Sequence, residues 1–163
     1  MSMTIKAGDK IPDISFTVMG KNGPEPIKAS DYFAGRRIAL FAVPGAYTPT
    51  CHMTHLPGFV AKAAEIRAKG VDAIAITAVN DIFTLDAWLK DSGAAGKIDG
   101  LADGSAVFAK AIGLDLDLTE RGLGVRSQRY AAIVRDGVVE WINVEENSSA
   151  ATVSTAESTL AKL

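Results

Sequence analysis

The sequence predicts an α/β sandwich with a mixed central sheet flanked by helices. Three observations predict it. A continuous apolar run over residues 37–43 and a second, mostly apolar stretch over residues 71–79 read as strands buried on both faces of a parallel sheet. A helix-length segment closed by Gly70 separates them, which makes a strand–helix–strand crossover. Two further apolar runs, residues 129–134 and 138–144, flank Asp136-Gly137, a hairpin turn signal, so an antiparallel pair joins the sheet.

In chain order, residues 13–18 alternate polar and apolar side chains, as a half-buried strand does. Gly and Pro cluster in residues 20–26, which read as a loop. Residues 30–33 read as a short capped turn. The first buried strand then runs to Pro44. The helix over residues 49–69 starts on Thr48, whose hydroxyl suits a cap, and on Pro49, whose missing N–H is not needed at a first helical position. Pro57 should kink or interrupt it. After the second buried strand come a helix over 81–91, a short strand over 98–102 and a short helix over 105–112. The hairpin follows, and residues 151–163 read as a closing helix. This order suits a thioredoxin-like sandwich, although periodicity alone also permits other three-layer α/β arrangements. No linker or repeat interrupts it, so one domain is expected over residues 1–163.

Composition excludes several functions. The chain has 163 residues, 48% hydrophobic and 22% charged, with a formal net charge of -2. That charge leaves no broad basic field for nucleic acid. No apolar run is long enough to span a bilayer. Residues 1–6 lack the apolar stretch of a signal peptide and the Arg-rich pattern of a transit segment, so a cytoplasmic location is expected. Cys51 is the only cysteine, which rules out an intramolecular disulfide.

Residues 44–59 carry the chemistry. They follow the C-terminal end of a buried strand, where open α/β sheets place their ligands. Cys51 falls in the first turn of the next helix, where free N–H groups and the helix dipole favour negative charge on sulfur. Thr50 and Thr54 can add hydroxyl contacts. The opposing reading is a buried thiol acting as a small hydrophobe, and the local pattern does not decide between them. Other cysteine chemistries are absent. Position 54 is Thr, so there is no C-x-x-C redox motif, and position 57 is Pro, so the phosphatase spacing C-x5-R is missing. Cys51, His52 and His55 are too few for a structural zinc site. His55 suits local packing or bonding better than general-base work, while Trp88 and Trp141 suit core or interface packing. Tyr47 suits a pocket mouth or a subunit contact.

Pro44, Thr48 and Cys51 match the pattern P-x-x-x-[TS]-x-x-C, and the longer string PGAYTPTCHMTHLPGF resembles the type II, peroxiredoxin-5-like peroxiredoxins. The resemblance extends over most of the chain. Residues 7–12 resemble the family's opening strand and loop, and Val79-Asn80-Asp81 with Asp86-Ala87-Trp88 its next strand and helix. Residues 126–130, Asp136-Gly137 and Asn143-Val144-Glu145 resemble its C-terminal hairpin. Two departures stand out: His52 replaces a common Ser, and no second cysteine lies near the C-terminus.

What the resemblance implies is a thiol-dependent peroxidase acting on hydrogen peroxide and organic hydroperoxides, serving antioxidant defence. Cys51 would be the nucleophile. Thr48 would hydrogen-bond peroxide and sulfur, Arg129 would supply fixed positive charge, Pro44 would shield the sulfur, and amides near Gly45 and Cys51 would complete the pocket. Without the family pattern, Arg129, Arg126 and Arg121 are equivalent surface cations, and Arg126 is the second choice. The oxidised sulfur would be reduced by glutathione, glutaredoxin or thioredoxin. A homodimer is implied, and no metal or organic cofactor. The competing readings are a non-catalytic peroxide sensor or chaperone-like partner on the same fold, and a structural α/β domain with an inert thiol.

Overall fold

The computed structural model describes residues 4–163. Strands β1 (Ser15–Gly20) and β2 (Gly23–Lys28) form an antiparallel hairpin, followed by α1 (Ala29–Phe33). Strand β3 (Arg37–Ala42) then enters the centre of the sheet. A π-helical turn (Cys51–His55) and α2 (Leu56–Ala68) lead to β4 (Ala73–Ala78). Helix α3 (Ile82–Asp91), β5 (Asp99–Ala102) and α4 (Val107–Ala111) come next. A separate two-stranded hairpin, β6 (Asp115–Leu118) and β7 (Gly124–Ser127), precedes β8 (Tyr130–Arg135), β9 (Val138–Val144) and α5 (Ala156–Leu160).

The main sheet has seven strands in the order β2-β1-β5-β4-β3-β8-β9. Pairs β3–β4 and β4–β5 are parallel, while β3–β8, β8–β9, β1–β5 and β1–β2 are antiparallel, so the sheet is mixed as expected. The two apolar runs are buried on both faces. Ala39 and Phe41 of β3, with Ile74 and Ile76 of β4, join the cluster that also holds Leu56, Phe59, Ala63 and Ile66 of α2. Ile38, Leu40, Ala42, Ala73 and Ala75 join the opposite cluster, with Phe33 and Phe108. Phe41 stacks on Phe59 with centroids 3.9 Å apart, which locks the start of α2 onto β3. Burying one such ring is worth roughly 2–3 kcal/mol. Asp136 (φ 47) and Gly137 (φ 77) both take the left-handed conformation of a two-residue hairpin turn.

Five expectations change. Residues 23–26, read as part of a loop, belong to β2. Pro24 and Pro26 lie two apart and so turn the same way, and β2 is an edge strand, where a missing N–H costs no ladder bond. Residues 30–33 belong to a short helix rather than a turn. Residues 7–12 contribute a single bridge, Lys10 to Val138, instead of a strand. The β6–β7 hairpin was not expected, although Asp115-Leu116-Asp117-Leu118 alternates with period two. The closing helix is confined to Ala156–Leu160, because residues 152–154 are tied to Glu145 instead.

Candidate active site

Helix formation begins at Pro49, with His52 N donating to Thr48 O at 2.8 Å, so Cys51 lies in the first turn as the sequence indicated. The Thr48 side chain does not cap. Its Oγ1 donates to Gly45 O at 2.7 Å, closing the loop that leaves β3, and it makes no bond to the Cys51 sulfur. Asn80 Oδ1 accepts from Ala46 N at 2.9 Å and pins that loop to the end of β4. Pro57 interrupts the helix by way of the π-helical turn just before it, in which Leu56 N reaches back to Cys51 O. Thr50 bonds Ser149 O and Thr54 faces solvent, so neither touches the sulfur.

Cys51 is fully buried, and Arg129 with it. Three contacts hold the guanidinium. Nη2 donates to Cys51 Sγ at 3.0 Å, Nη1 to His55 Nδ1 at 2.9 Å and Nε to Ser148 O at 3.0 Å. Among the described residues it has no carboxylate partner. A buried cation costs several kcal/mol unless a counter-charge meets it. Of the three groups it contacts, only the sulfur can carry negative charge. The sulfur therefore faces a buried cation and not apolar side chains alone.

The guanidinium is held by a chain of bonds that begins at Glu145. Its carboxylate accepts from the amides of Thr152, Val153 and Ser154 and from the hydroxyls of Thr152 and Ser154. Burial opposes ionisation of Glu145, but these donors outweigh it and hold the carboxyl below its usual range. The strap so fixed presents Ser154 O to His55 Nε2 at 2.7 Å. A carbonyl only accepts, so Nε2 carries the proton and Nδ1 is free to accept from Arg129. Both ring nitrogens are engaged, which leaves His55 no role as a general base. Burial, reinforced by the Arg129 charge, lowers the His55 pKa to about 4.

That depression has a consequence for stability. The unfolded chain protonates His55 near its ordinary value of 6.5, and the folded chain only near 4. Between those values the unfolded state binds more protons, so stability falls as pH drops from 6.5 toward 4, by at most about 3 kcal/mol. Urea unfolding of the native chain and of His55→Asn at pH 7 and pH 4.5 measures this. The native chain is expected to lose more stability than the variant; parallel losses would show that His55 does not carry the effect.

Arg126 and Arg121 do not reach the sulfur. Arg126 bonds Leu123 O and Val79 O, and Arg121 ends a 3₁₀ turn (Thr119–Arg121) between β6 and β7. Both line a cleft of about 720 Å³, together with Pro44, Thr48, Thr50 and Arg129. Gly45 is buried beside it, and a Cβ there would stand 3.1 Å from Arg126 Nη1. Neither the Gly45 nor the Cys51 amide has a protein acceptor among the described residues. Tyr47 is absent from the cleft lining. It is exposed, its hydroxyl donates to Asp91 and its φ is 62°. Trp88 is core, and its Nε1 donates to His52 Nδ1 at 3.0 Å. Glu145, Ser148 and Ser154 escaped the sequence reading of the site; only the Asn143-Val144-Glu145 match pointed to any of them.

Comparison with known proteins decides the family. The Redoxin family model matches residues 6–160. Peroxiredoxin-2E, chloroplastic, of Arabidopsis thaliana is 45% identical over 167 residues, covering 100% of this chain and 71% of that protein. Peroxiredoxin-2D of the same organism is 41% identical, covering 98% of each. The chain belongs to the Redoxin family, as a type II peroxiredoxin. The crystal structure of reduced Prx3 in complex with hydrogen peroxide, from Vibrio vulnificus, matches this peroxiredoxin with TM-score 0.93 and 44% identity, over 98% of this chain and 99% of that one. The thioredoxin-like mixed sheet and the thiol-dependent peroxidase activity read from the sequence both stand on this membership.

The expected cytoplasmic location does not stand. Relatives at 45% and 47% identity, from Arabidopsis thaliana and Oryza sativa subsp. japonica, are chloroplastic. Chloroplastic and mitochondrial relatives share the family, so the composition of residues 1–6 does not report location.

Proposed function

We propose that Cys51 is the peroxidatic nucleophile, with Thr48, Arg129, Pro44 and Gly45 forming the peroxide site. The observation that carries this is the buried Arg129 Nη2 at 3.0 Å from Cys51 Sγ, with no carboxylate paired to it among the described residues. Sulfur as thiolate attacks the terminal peroxide oxygen. The S–O bond forms as the O–O bond breaks, and the leaving oxygen takes a proton to give water or an alcohol. Arg129 stabilises charge on the attacking sulfur and on the leaving oxygen. Thr48 Oγ1 spends its hydrogen on Gly45 O, so its lone pairs accept the peroxide O–H. The Gly45 and Cys51 amides donate to the peroxide oxygens, and Pro44 limits water at the sulfur. Thr48→Val removes the acceptor and is expected to lower kcat/KM for hydrogen peroxide at least tenfold, or about 1.4 kcal/mol in the barrier. A change under twofold in stopped-flow oxidation would remove Thr48 from the site.

With one cysteine in the chain, the sulfenic acid is reduced by a thiol from another molecule. Glutathione, alone or with glutaredoxin, is the proposed donor, with thioredoxin the alternative. Turnover of hydrogen peroxide with the three donors compared side by side tests this. Glutathione-supported turnover is expected; turnover with thioredoxin alone would reassign the donor, and none with any donor would refute the catalytic cycle. A homodimer is also proposed. Tyr47, Met53 and Phe83 are 45%, 75% and 65% exposed, apolar surface that a second copy can cover. Sedimentation of the reduced protein at one chain mass would exclude it.

A further inference from the structure

We propose that the cleft beside Cys51 selects amphipathic organic hydroperoxides that carry a carboxylate, seating the alkyl chain on Leu116, Leu118 and Leu123 and the carboxylate at Arg121 and Arg126. This rests on the peroxidase reading and goes on to name the substrate class.

The cleft is far larger than hydrogen peroxide requires. Its volume is about 720 Å³, whereas a molecule about twice the size of water needs roughly 60 Å³. Clefts of this volume hold ligands of many heavy atoms. Its wall is amphipathic, and the β6–β7 hairpin supplies all three of its leucines and two of its three arginines. Leu116 and Leu118 are two apart on β6 and so share a face. Arg126 pairs directly with Leu116 across the hairpin, which puts its side chain on that same face. Leu123 and Arg121 border the cleft from the segment joining the strands.

The charge on this wall is unspent. Among the described residues Arg121 makes no hydrogen bond or ion pair. Arg126 uses Nε on Leu123 O and Nη1 on Val79 O, leaving Nη2 without a protein acceptor. Three arginines line the cleft against one carboxylate, Glu146. A neutral alkyl hydroperoxide would satisfy the leucines and leave the cations idle. A polar peptide thiol would satisfy the cations and leave the leucines wet. A chain with a hydroperoxide and a terminal carboxylate satisfies both. Its terminal peroxide oxygen passes to Cys51 sulfur, the O–O bond breaks, and the alkoxide takes a proton, so the product is a hydroxy acid.

The test compares kcat/KM for hydrogen peroxide, a hydroperoxy fatty acid and the methyl ester of that acid, all below micelle formation and at low and high salt. The native chain is expected to prefer the acid over the ester at least fivefold, with the preference shrinking at high salt. Arg121 is exposed on a turn, so Arg121→Glu folds; it is expected to erase or invert the preference, and Arg126→Gln to reduce it. Equal values for acid and ester in the native chain would overturn the proposal. So would a preference that survives Arg121→Glu combined with Arg126→Gln, or variant effects confined to the KM for glutathione. Loss of turnover with all three peroxides would count against the peroxidase reading beneath it; hydrogen peroxide turnover without an acid–ester difference would count against this subsite alone.

Discussion

Cys51→Ser is expected to abolish peroxide consumption while leaving the fold intact. Serine differs by one atom, and its hydroxyl can accept from Arg129 Nη2 where the sulfur did. The surrounding core of Val43, Leu56 and Phe59 therefore keeps its packing. Chemistry is lost because a hydroxyl keeps its proton at neutral pH and is a poor nucleophile toward peroxide. Peroxide loss with a thiol donor should fall to that of the donor alone, with an unchanged far-ultraviolet dichroism spectrum. Retained turnover would mean that another group reacts, and no other cysteine exists in the chain.

Arg129→Met is expected to cost about a hundredfold or more in the second-order rate of Cys51 oxidation, the scale on which a single preorganised donor acts. Methionine fills the volume of the arginine stem, so the experiment separates charge from packing. Two acceptors, Ser148 O and His55 Nδ1, lose their donor, at about 1–3 kcal/mol each. The sulfur also loses its counter-charge, but it can stay neutral as a thiol, which limits the cost. A modest change in stability with a large fall in rate is the signature of an electrostatic role. A rate within threefold of the native chain would show that the guanidinium only fills space beside the sulfur. With hydrogen peroxide as the oxidant, Arg126→Met gives the contrast, since Arg126 does not contact the sulfur.

The sequence made the central strands legible because their signal is local. Residues 38–42 are apolar without a break and residues 73–78 are interrupted only by Thr77, and burial on both faces accounts for that. The first turn at Cys51 was legible from Pro49 alone. Strand β2 was not, because Pro24 and Pro26 read as breakers unless its edge position is known. The length of α5 was misread for a different reason: of residues 151–155 only Ala151 is a strong helix former, and Glu145 captures the amides of Thr152, Val153 and Ser154. The same distinction applies at the site. Thr48 and Cys51 are three apart, and their pattern is visible in one window. Arg129 lies 78 residues from Cys51, and nothing in its neighbourhood separates it from Arg126 or Arg121. The family pattern selected it, and the fold explains why: β8 runs beside β3, pairing Tyr130 with Ala42 just before the loop that carries Thr48. The strap from Glu145 to His55 is wholly tertiary and left no local trace.

The central claim is that Cys51 reacts directly with peroxide. Reduced protein is treated with one equivalent of hydrogen peroxide without any thiol donor, trapped with a sulfenic-acid reagent and mapped by peptide mass. One trapped sulfenic acid per chain at Cys51, regenerated as thiol when a donor is added before the trap, is the predicted result. An unmodified Cys51 thiol after exposure to stoichiometric peroxide would contradict the account.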